Sequence, residues 1–134
     1  MSAFTEPELA YLKSQPLMRF ASASLTGAPD VATVAFSLDR DDIVTAGFDI
    51  AKTVRYRNIQ DNPRAMVIID DLATLEPWAP RGIKVRGRAH IERDRDGERF
   101  RITPEVIWSW GVNEPRPGIP EIERRAISTP GAHG

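Results

Sequence analysis

Two histidines, no cysteine and one adjacent pair of carboxylates in a strand-like run make up the acid–base inventory best placed for catalysis in this 134-residue chain. The absence of cysteine removes thiolate nucleophiles, disulfides, zinc–thiolate sites and iron–sulfur clusters together. His133 sits in the terminal Gly131-Ala132-His133-Gly134, so a serine–histidine–aspartate triad or a histidine metal site would rest on His90 alone. Asp70-Asp71 stands where a strand is expected to end, and paired carboxylates there commonly open a turn. His90 falls on the polar face of a strand, where histidines are commonly solvated. Hydrolysis and metal catalysis are poorly served by this set, and no metal site is expected.

Positive charge is better placed. Lys52, Arg55, Arg57, Arg64, Arg81, Lys84, Arg86 and Arg88 stand against Asp61, Asp70, Asp71 and Glu76, a surplus of four in a chain whose net charge is −1. Cations beside a helix start can form a phosphate site, because first-turn amides and the helix dipole both favour an anion. A solvated arginine-rich face would carry the same residues. Trp78, Trp108 and Trp110 lie among prolines and charges, and could cover an aromatic ligand, bury a contact between two copies, or close the ends of a barrel. A nucleic-acid surface needs aromatics for bases to stack on, and this region offers only Tyr56 and Trp78.

The elements that must hold these residues can be read from periodicity and turn chemistry. The chain is one domain in length, 41% hydrophobic and 28% charged, which suits a globular core. No apolar run reaches signal-peptide or membrane-span length, so a soluble cytoplasmic protein is expected, without nucleic-acid or membrane partners. Thr5 and Glu8 form a capping box for a short helix, with Phe4 stapling onto Leu9, and Pro16 ends it. Leu17–Ala23 and Val31–Leu38 read as a hairpin around Gly27-Ala28-Pro29, and Ile43–Phe48 as a third strand. Lys52–Asp61 reads as a surface helix stopped by Asn62-Pro63.

Ala65–Asp70 is apolar enough for a central strand covered on both faces. Pro77 and Pro80 predict a loop over Leu72–Arg81, and Gly82–Arg93 resumes as a long strand with Ile83, Val85, Gly87, Ala89 and Ile91 on one face. Asp96-Gly97 predicts a tight turn into Glu98–Thr103, with a last short strand Val106–Trp110 after Pro104. Six to seven antiparallel strands and two short helices make the fold mainly β, a small barrel or sandwich. The domain covers residues 1–112, and a proline-rich arm or tail covers 113–134.

At Lys52-Thr53-Val54-Arg55-Tyr56-Arg57-Asn58-Ile59-Gln60-Asp61-Asn62-Pro63-Arg64-Ala65, followed by Met66–Ile69, the chain resembles the flavin-binding split-barrel family. That family includes pyridoxamine-phosphate oxidase and the actinobacterial deazaflavin-dependent reductases. Phe20-Ala21-Ser22, Gly27-Ala28-Pro29, Val85-Arg86-Gly87-Arg88-Ala89 and Pro104–Gly111 add to the likeness, which spans about residues 5–111. The loop Glu76-Pro77-Trp78-Ala79-Pro80-Arg81-Gly82 looks most like the branch that uses coenzyme F-420, an 8-hydroxy-5-deazaflavin hydride carrier.

The resemblance implies an FMN-binding-type split β-barrel and a homodimer with two identical clefts, each taking one cofactor and a small-molecule substrate. Arg55 stands where the family has a phosphate-binding lysine, eight residues before the Asn-Pro proline, and its guanidinium can grip phosphate bidentately. Lys52 and Arg57 would be further phosphate partners. Val34, Ala35, Phe36, Gly47 and Phe48 would face the ring, Trp78 and Arg81 would lie near the tail or ring, and Trp110 would enter from the other subunit. The implied reaction is hydride transfer from reduced F-420 to an activated double bond. An FMN-dependent oxidase or reductase and a non-catalytic flavin-binding protein are the alternatives.

Overall fold

The computed structural model describes residues 2–128. Helix α1 (Glu6–Ser14) starts as the capping box requires: the Glu8 amide donates to the Thr5 hydroxyl at 3.3 Å, and the Thr5 amide donates to the Glu8 carboxylate at 2.9 Å. Its inner face is not the expected leucine stripe, because Glu8, Tyr11 and Leu12 are buried while Leu9 is only partly so. Eight strands follow: β1 (Leu17–Ala23), β2 (Pro29–Ala35), β3 (Ser37–Asp39), β4 (Asp42–Ala46), β5 (Arg64–Thr74), β6 (Ala79–Asp94), β7 (Gly97–Trp110) and β8 (Glu123–Ala126). A single helical turn, Ile50–Lys52, and helix α2 (Val54–Asp61) separate β4 from β5.

Seven strands pair antiparallel in the order β2-β1-β5-β6-β7-β4-β3, and β8 adds to β7. The Thr45 hydroxyl donates to the Ala35 carbonyl at 2.7 Å, bringing β4 against the end of β2 and closing the sheet into a barrel. Inside, Phe20 and Phe100 meet edge to face with ring centres 5.2 Å apart, among Met18, Ile43, Val67 and Ile102. Among the described residues no helix is long and apolar enough to cross a membrane.

Strand β7 pairs with β6 on one edge and divides its other edge between two neighbours. Its Arg99–Ile102 stretch pairs with β4 and its Val106–Ser109 stretch with β8. Between them Gly87 faces Pro104 but Arg86 faces Val106, so Glu105 is one residue too many for the ladder, a β-bulge. The bulge lets Pro104, which has no N–H, sit within a sheet. Gly87 is needed opposite, because a Cβ there would come 2.4 Å from the Thr103 carbonyl oxygen.

Several boundaries differ from the sequence expectation, each through pairing partners distant in sequence. Thr103 and Val106 belong to one strand, not two, because β6 pairs along the whole of it. The expected loop over Leu72–Arg81 shrinks to Leu75–Trp78, since Leu72 pairs with Pro80 and Thr74 with Ala79 across an irregularity that tolerates the proline. The strand expected over Val31–Leu38 breaks at Phe36, and the next ends at Ala46, leaving Gly47 and Phe48 in a loop. Arg95-Asp96, not Asp96-Gly97, forms the tip of the β6–β7 turn, with Gly97 at φ +121° opening β7. The middle strand of the path is β6, and β5 lies beside it.

Helix α2 is anchored more firmly than a surface helix. Val54 is exposed as its loose spacing suggests, but Asn58 and Ile59 are buried, and the Asn58 amide donates to the Ser22 hydroxyl at 3.1 Å. The Asn62 amide donates to the Ala23 carbonyl at 3.2 Å, and the Pro63 carbonyl accepts from Ala89 at 2.7 Å. The Asn-Pro pair thus ties α2 to β1 and β6 at once.

The C-terminal strand is fixed to the N-terminal helix. Arg125 donates to the buried Glu8 carboxylate at 2.6 Å and to the Ala3 carbonyl at 2.7 Å. Burial pushes the Glu8 carboxyl up, but bonds from Arg125, the Thr5 amide and Ser109 together hold it below its ordinary value.

Candidate functional site

The corner where the barrel closes gathers most of the expected site residues. β2 ends there with Val34 and Ala35, and Val34 and Phe36 pack against the core while Ala35 is exposed. β4 arrives from the other side with Thr45, followed by exposed Gly47 and by Phe48, which is 97% exposed. Asp49 takes a left-handed φ of 56°, which turns the chain into the helical turn that leads to α2. The Thr53 hydroxyl then works twice: it donates to the Ile50 carbonyl at 2.6 Å and accepts from the Tyr56 amide at 3.2 Å, so it caps α2.

Arg55, in the first turn of α2, points back into this corner. Its guanidinium carbon lies 5.9 Å from the centre of the Phe100 ring, and one terminal nitrogen would lie 4.0 Å from a Cβ built on Gly47. Its Nε is buried and finds no hydrogen-bond partner among the described residues. A buried donor left unmade costs about 1–3 kcal/mol, and more on a charged group, so this position suits an incoming anion. Glycine suits position 47, because a methyl there would press on the Ile50 side chain at 3.3 Å.

The neighbouring cations are looser. Lys52 is 82% exposed and pairs with Asp49 at 3.5 Å, and Arg57 is exposed on the outer side of α2. Tyr56, next to Arg55, is held by its own acceptor: its hydroxyl donates to Glu98 at 2.5 Å. That bond raises the phenol and lowers the carboxyl, so Tyr56 stays protonated.

Trp78, Arg81 and Trp110 lie elsewhere in the same chain. Phe100 faces Ile91 on β6 whereas Trp110 faces Gly82, and nine residues at about 3.3 Å put roughly 30 Å of strand between the two positions. Trp110 lies flat enough on Gly82 that a Cβ there would come 2.5 Å from its ring. Arg81 is committed to Asp71 through two bonds of 2.7 and 2.9 Å, and its guanidinium sits 5.0 Å above the Tyr11 ring. The Tyr11 hydroxyl donates to the same carboxylate at 2.8 Å. Trp78 is half exposed at the tip of the β5–β6 connection.

The residues considered for acid–base chemistry are occupied or solvated. The Arg81 guanidinium holds the Asp71 carboxyl below its ordinary value, and Asp70 pairs with Arg19 at 3.6 Å. Neither ends its strand, since β5 runs on to Thr74. His90 is largely exposed, 3.9 Å from Glu92, and His133 lies outside the described residues. Sequence reasoning missed three positioning residues: Thr45, Thr53 and Asn58. Only Thr53 carries a local signal, as a cap-preferring residue before a helix.

A closed split barrel, with an unsatisfied arginine at the start of its second helix, is the setting in which comparison with known proteins becomes informative. Residues 4–117 match the pyridoxamine 5'-phosphate oxidase family, and the chain belongs to it. A Streptomyces rimosus protein, 5a,11a-dehydrotetracycline/5a,11a-dehydrooxytetracycline reductase, is 30% identical over 119 residues, covering 81% of this chain and 84% of that one. In structure the chain is similar to General Stress Protein 26 of Bacillus anthracis, with a TM-score of 0.65 and 16% identity over 90% of this chain and 97% of the other. It is also similar to an FAD-binding protein of Mesorhizobium loti, with a TM-score of 0.64 and 18% identity over 79% of this chain and 91% of that one.

Proposed function

We propose that the chain is a homodimeric oxidoreductase that binds reduced coenzyme F-420 and delivers a hydride to an activated double bond, of the enone or quinone type, in a small molecule. The observation that carries the reading is the buried Nε of Arg55, without a hydrogen-bond partner among the described residues, beside the exposed Gly47. The reductase named for the 30%-identical relative supports this kind of chemistry on the same scaffold.

The bound deazaflavin supplies the hydride, and the protein's residues bind, orient and exclude water. Arg55 would hold the cofactor phosphate bidentately, with Lys52 and Arg57 as further cations. Val34, Ala35, Phe36, Gly47 and Phe48 would line the ring. The product gains one hydride and one proton, and solvent can supply the proton, so no free side-chain acid is required. Trp78, Arg81 and Trp110, being about 30 Å along β6 from the Arg55 corner, would meet the cofactor from the partner copy.

Titration of the protein's tryptophan fluorescence with F-420 and separately with FMN tests the reading. Micromolar F-420 binding with much weaker FMN binding supports it, and the reverse preference makes this an FMN enzyme. Tight binding with no turnover of any enone, quinone or nitro compound makes it a flavin-binding protein without catalysis. Replacing Arg55 and Lys52 together by alanine should weaken binding at least about tenfold, since charge-assisted bonds contribute roughly 1.5–3 kcal/mol each. A change within twofold refutes the phosphate assignment, and a monomer in sedimentation removes the shared cleft.

A further inference from the structure

A carboxylate stands at the mouth of the Arg55 corner. Glu98 and Phe100 lie on one face of β7, two residues or about 7 Å apart, and the Arg55 guanidinium carbon sits 5.9 Å from the Phe100 ring centre. β4 pairs Thr45 with Phe100 and Ala46 with Arg99, so the chain brings Gly47, the next residue, to the level of Glu98. The Cβ position of Gly47 is in turn 4.0 Å from a terminal nitrogen of Arg55. Side chains that face each other on neighbouring strands are about 5 Å apart, which puts Glu98 within a side chain's reach of Arg55.

Yet the two are not joined. One oxygen of the Glu98 carboxylate accepts from the Tyr56 hydroxyl at 2.5 Å, and the other meets the Arg93 guanidinium at 3.3 Å. Arg93 is there by register, directly opposite Glu98 on β6. Tyr56 comes from the first turn of α2, its ring centre 6.2 Å from that of Phe100, so Arg55 and Tyr56 rest against the same ring. The Tyr56 bond lowers the Glu98 carboxyl, which therefore stays charged. Released, that charge would neutralise the cation that an incoming phosphate needs and would repel the phosphate itself.

We propose that Tyr56, with Arg93 beside it, is a positioning residue that holds Glu98 away from Arg55 and so leaves the Arg55 guanidinium free for the cofactor phosphate. The proposal rests on the reading of Arg55 as the phosphate-binding residue, and adds to it the reason this arginine stays available.

Fluorescence titration of the full chain with F-420, and with 8-hydroxy-5-deazariboflavin, which has the ring and ribityl chain but no phosphate, tests this. Tyr56→Phe, which removes only the hydroxyl, should weaken F-420 binding at least about fivefold and leave the phosphate-free ligand within about twofold. Adding Glu98→Gln to Tyr56→Phe should return F-420 binding to within about twofold of the parent, because the amide carries no charge to set against Arg55. A loss that came only from disturbed packing would not be rescued in this way. In the free protein, the Arg55 Nε–H resonance should move downfield in Tyr56→Phe as a carboxylate bond forms, and return in the double variant. If circular dichroism shows Tyr56→Phe unfolded, Arg93→Gln releases the other Glu98 oxygen from an exposed partner and should weaken F-420 about threefold, with the same rescue.

Arg55→Gln separates the two readings. If it abolishes the preference for F-420 over the phosphate-free ligand while Tyr56→Phe changes nothing, the positioning role is overturned and the phosphate site stands. If it leaves that preference intact, both are overturned. A Tyr56→Phe loss that Glu98→Gln does not rescue overturns the positioning role as well.

Discussion

Replacing Glu8 by glutamine isolates the ion pair that fastens the two ends of the described chain. Glutamine keeps the size of the side chain and an oxygen to accept the Thr5 amide, but it removes the charge that Arg125 faces at 2.6 Å. Breaking a buried pair from one side costs about 3–5 kcal/mol. The Arg125 side chain is 34% exposed and water recovers part of that, leaving about 2 kcal/mol. Against the roughly 5–15 kcal/mol that holds a domain together, this should lower the melting temperature by about 5–10 °C.

Urea unfolding at pH 7 and at pH 4 measures the effect. Because the folded Glu8 carboxyl lies below its ordinary value of 4.5, its stabilisation is complete above that value and fades as the pH falls through the folded pKa. The gap between parent and variant should therefore narrow on acidification. Hydrogen exchange at the Arg124–Ile127 amides should accelerate in the variant at pH 7, since Arg125 is the side chain that pins β8. A parent and variant within about 0.5 kcal/mol at pH 7, or a gap that widens toward pH 4, would refute the reasoning.

Gly82→Ala places a methyl 2.5 Å from the Trp110 ring and 3.0 Å from the Asp70 Cβ, and should destabilise by about 1–3 kcal/mol in urea. Adding Trp110→Leu should recover most of that loss, and no recovery would show that the clash lies with Asp70. Asn58→Ala leaves the buried Ser22 hydroxyl without its partner and should cost about 1–2 kcal/mol, with faster hydrogen exchange confined to α2. Arg101 and Arg99 hold the Glu92 carboxyl down to about 2, so its contribution is present above the ordinary value of 4.5 and lost as the pH falls toward 2. Glu92→Gln should flatten the stability profile across that window, as followed by acid titration of the circular dichroism signal.

Local signals in the sequence were sufficient where one segment decides its own structure. The Thr5–Glu8 box, the alternation of Gly82–Arg93 and the apolar run Ala65–Asp70 each carry their geometry within a few residues, and each appears in the fold. Prolines misled in two places because partners far along the chain decided the outcome. Pro80 pairs opposite Leu72 and Pro104 opposite Gly87, at irregularities that spare the missing N–H. The Glu8–Arg125 and Tyr11–Asp71 contacts join residues 117 and 60 positions apart, and no local pattern announces them. At the candidate site, the family likeness pointed to Arg55 and Gly47, which the barrel corner brings together. The helix spacing hid Asn58, because a buried asparagine looks like surface until Ser22 is placed beneath it.

The extra residue at Glu105 fixes the parity of everything after it. Before the bulge the even-numbered residues of β7 point into the barrel, as Phe100, Ile102 and Pro104 do; after it the odd-numbered Ile107 and Ser109 are inside. Trp108 and Trp110 therefore face outward only because the count shifts by one between Pro104 and Val106. Removing that single residue would leave Val106 directly after Pro104 and opposite Arg86, a regular ladder with both indoles still outward, whereas drawing Glu105 into the ladder would turn the second half over, sending both indoles toward the core and Ile107 toward solvent. Which side chains the outer face of β7 shows, Trp108 and the Trp110 that lies on Gly82 among them, is thus decided by one residue that stays out of the pairing.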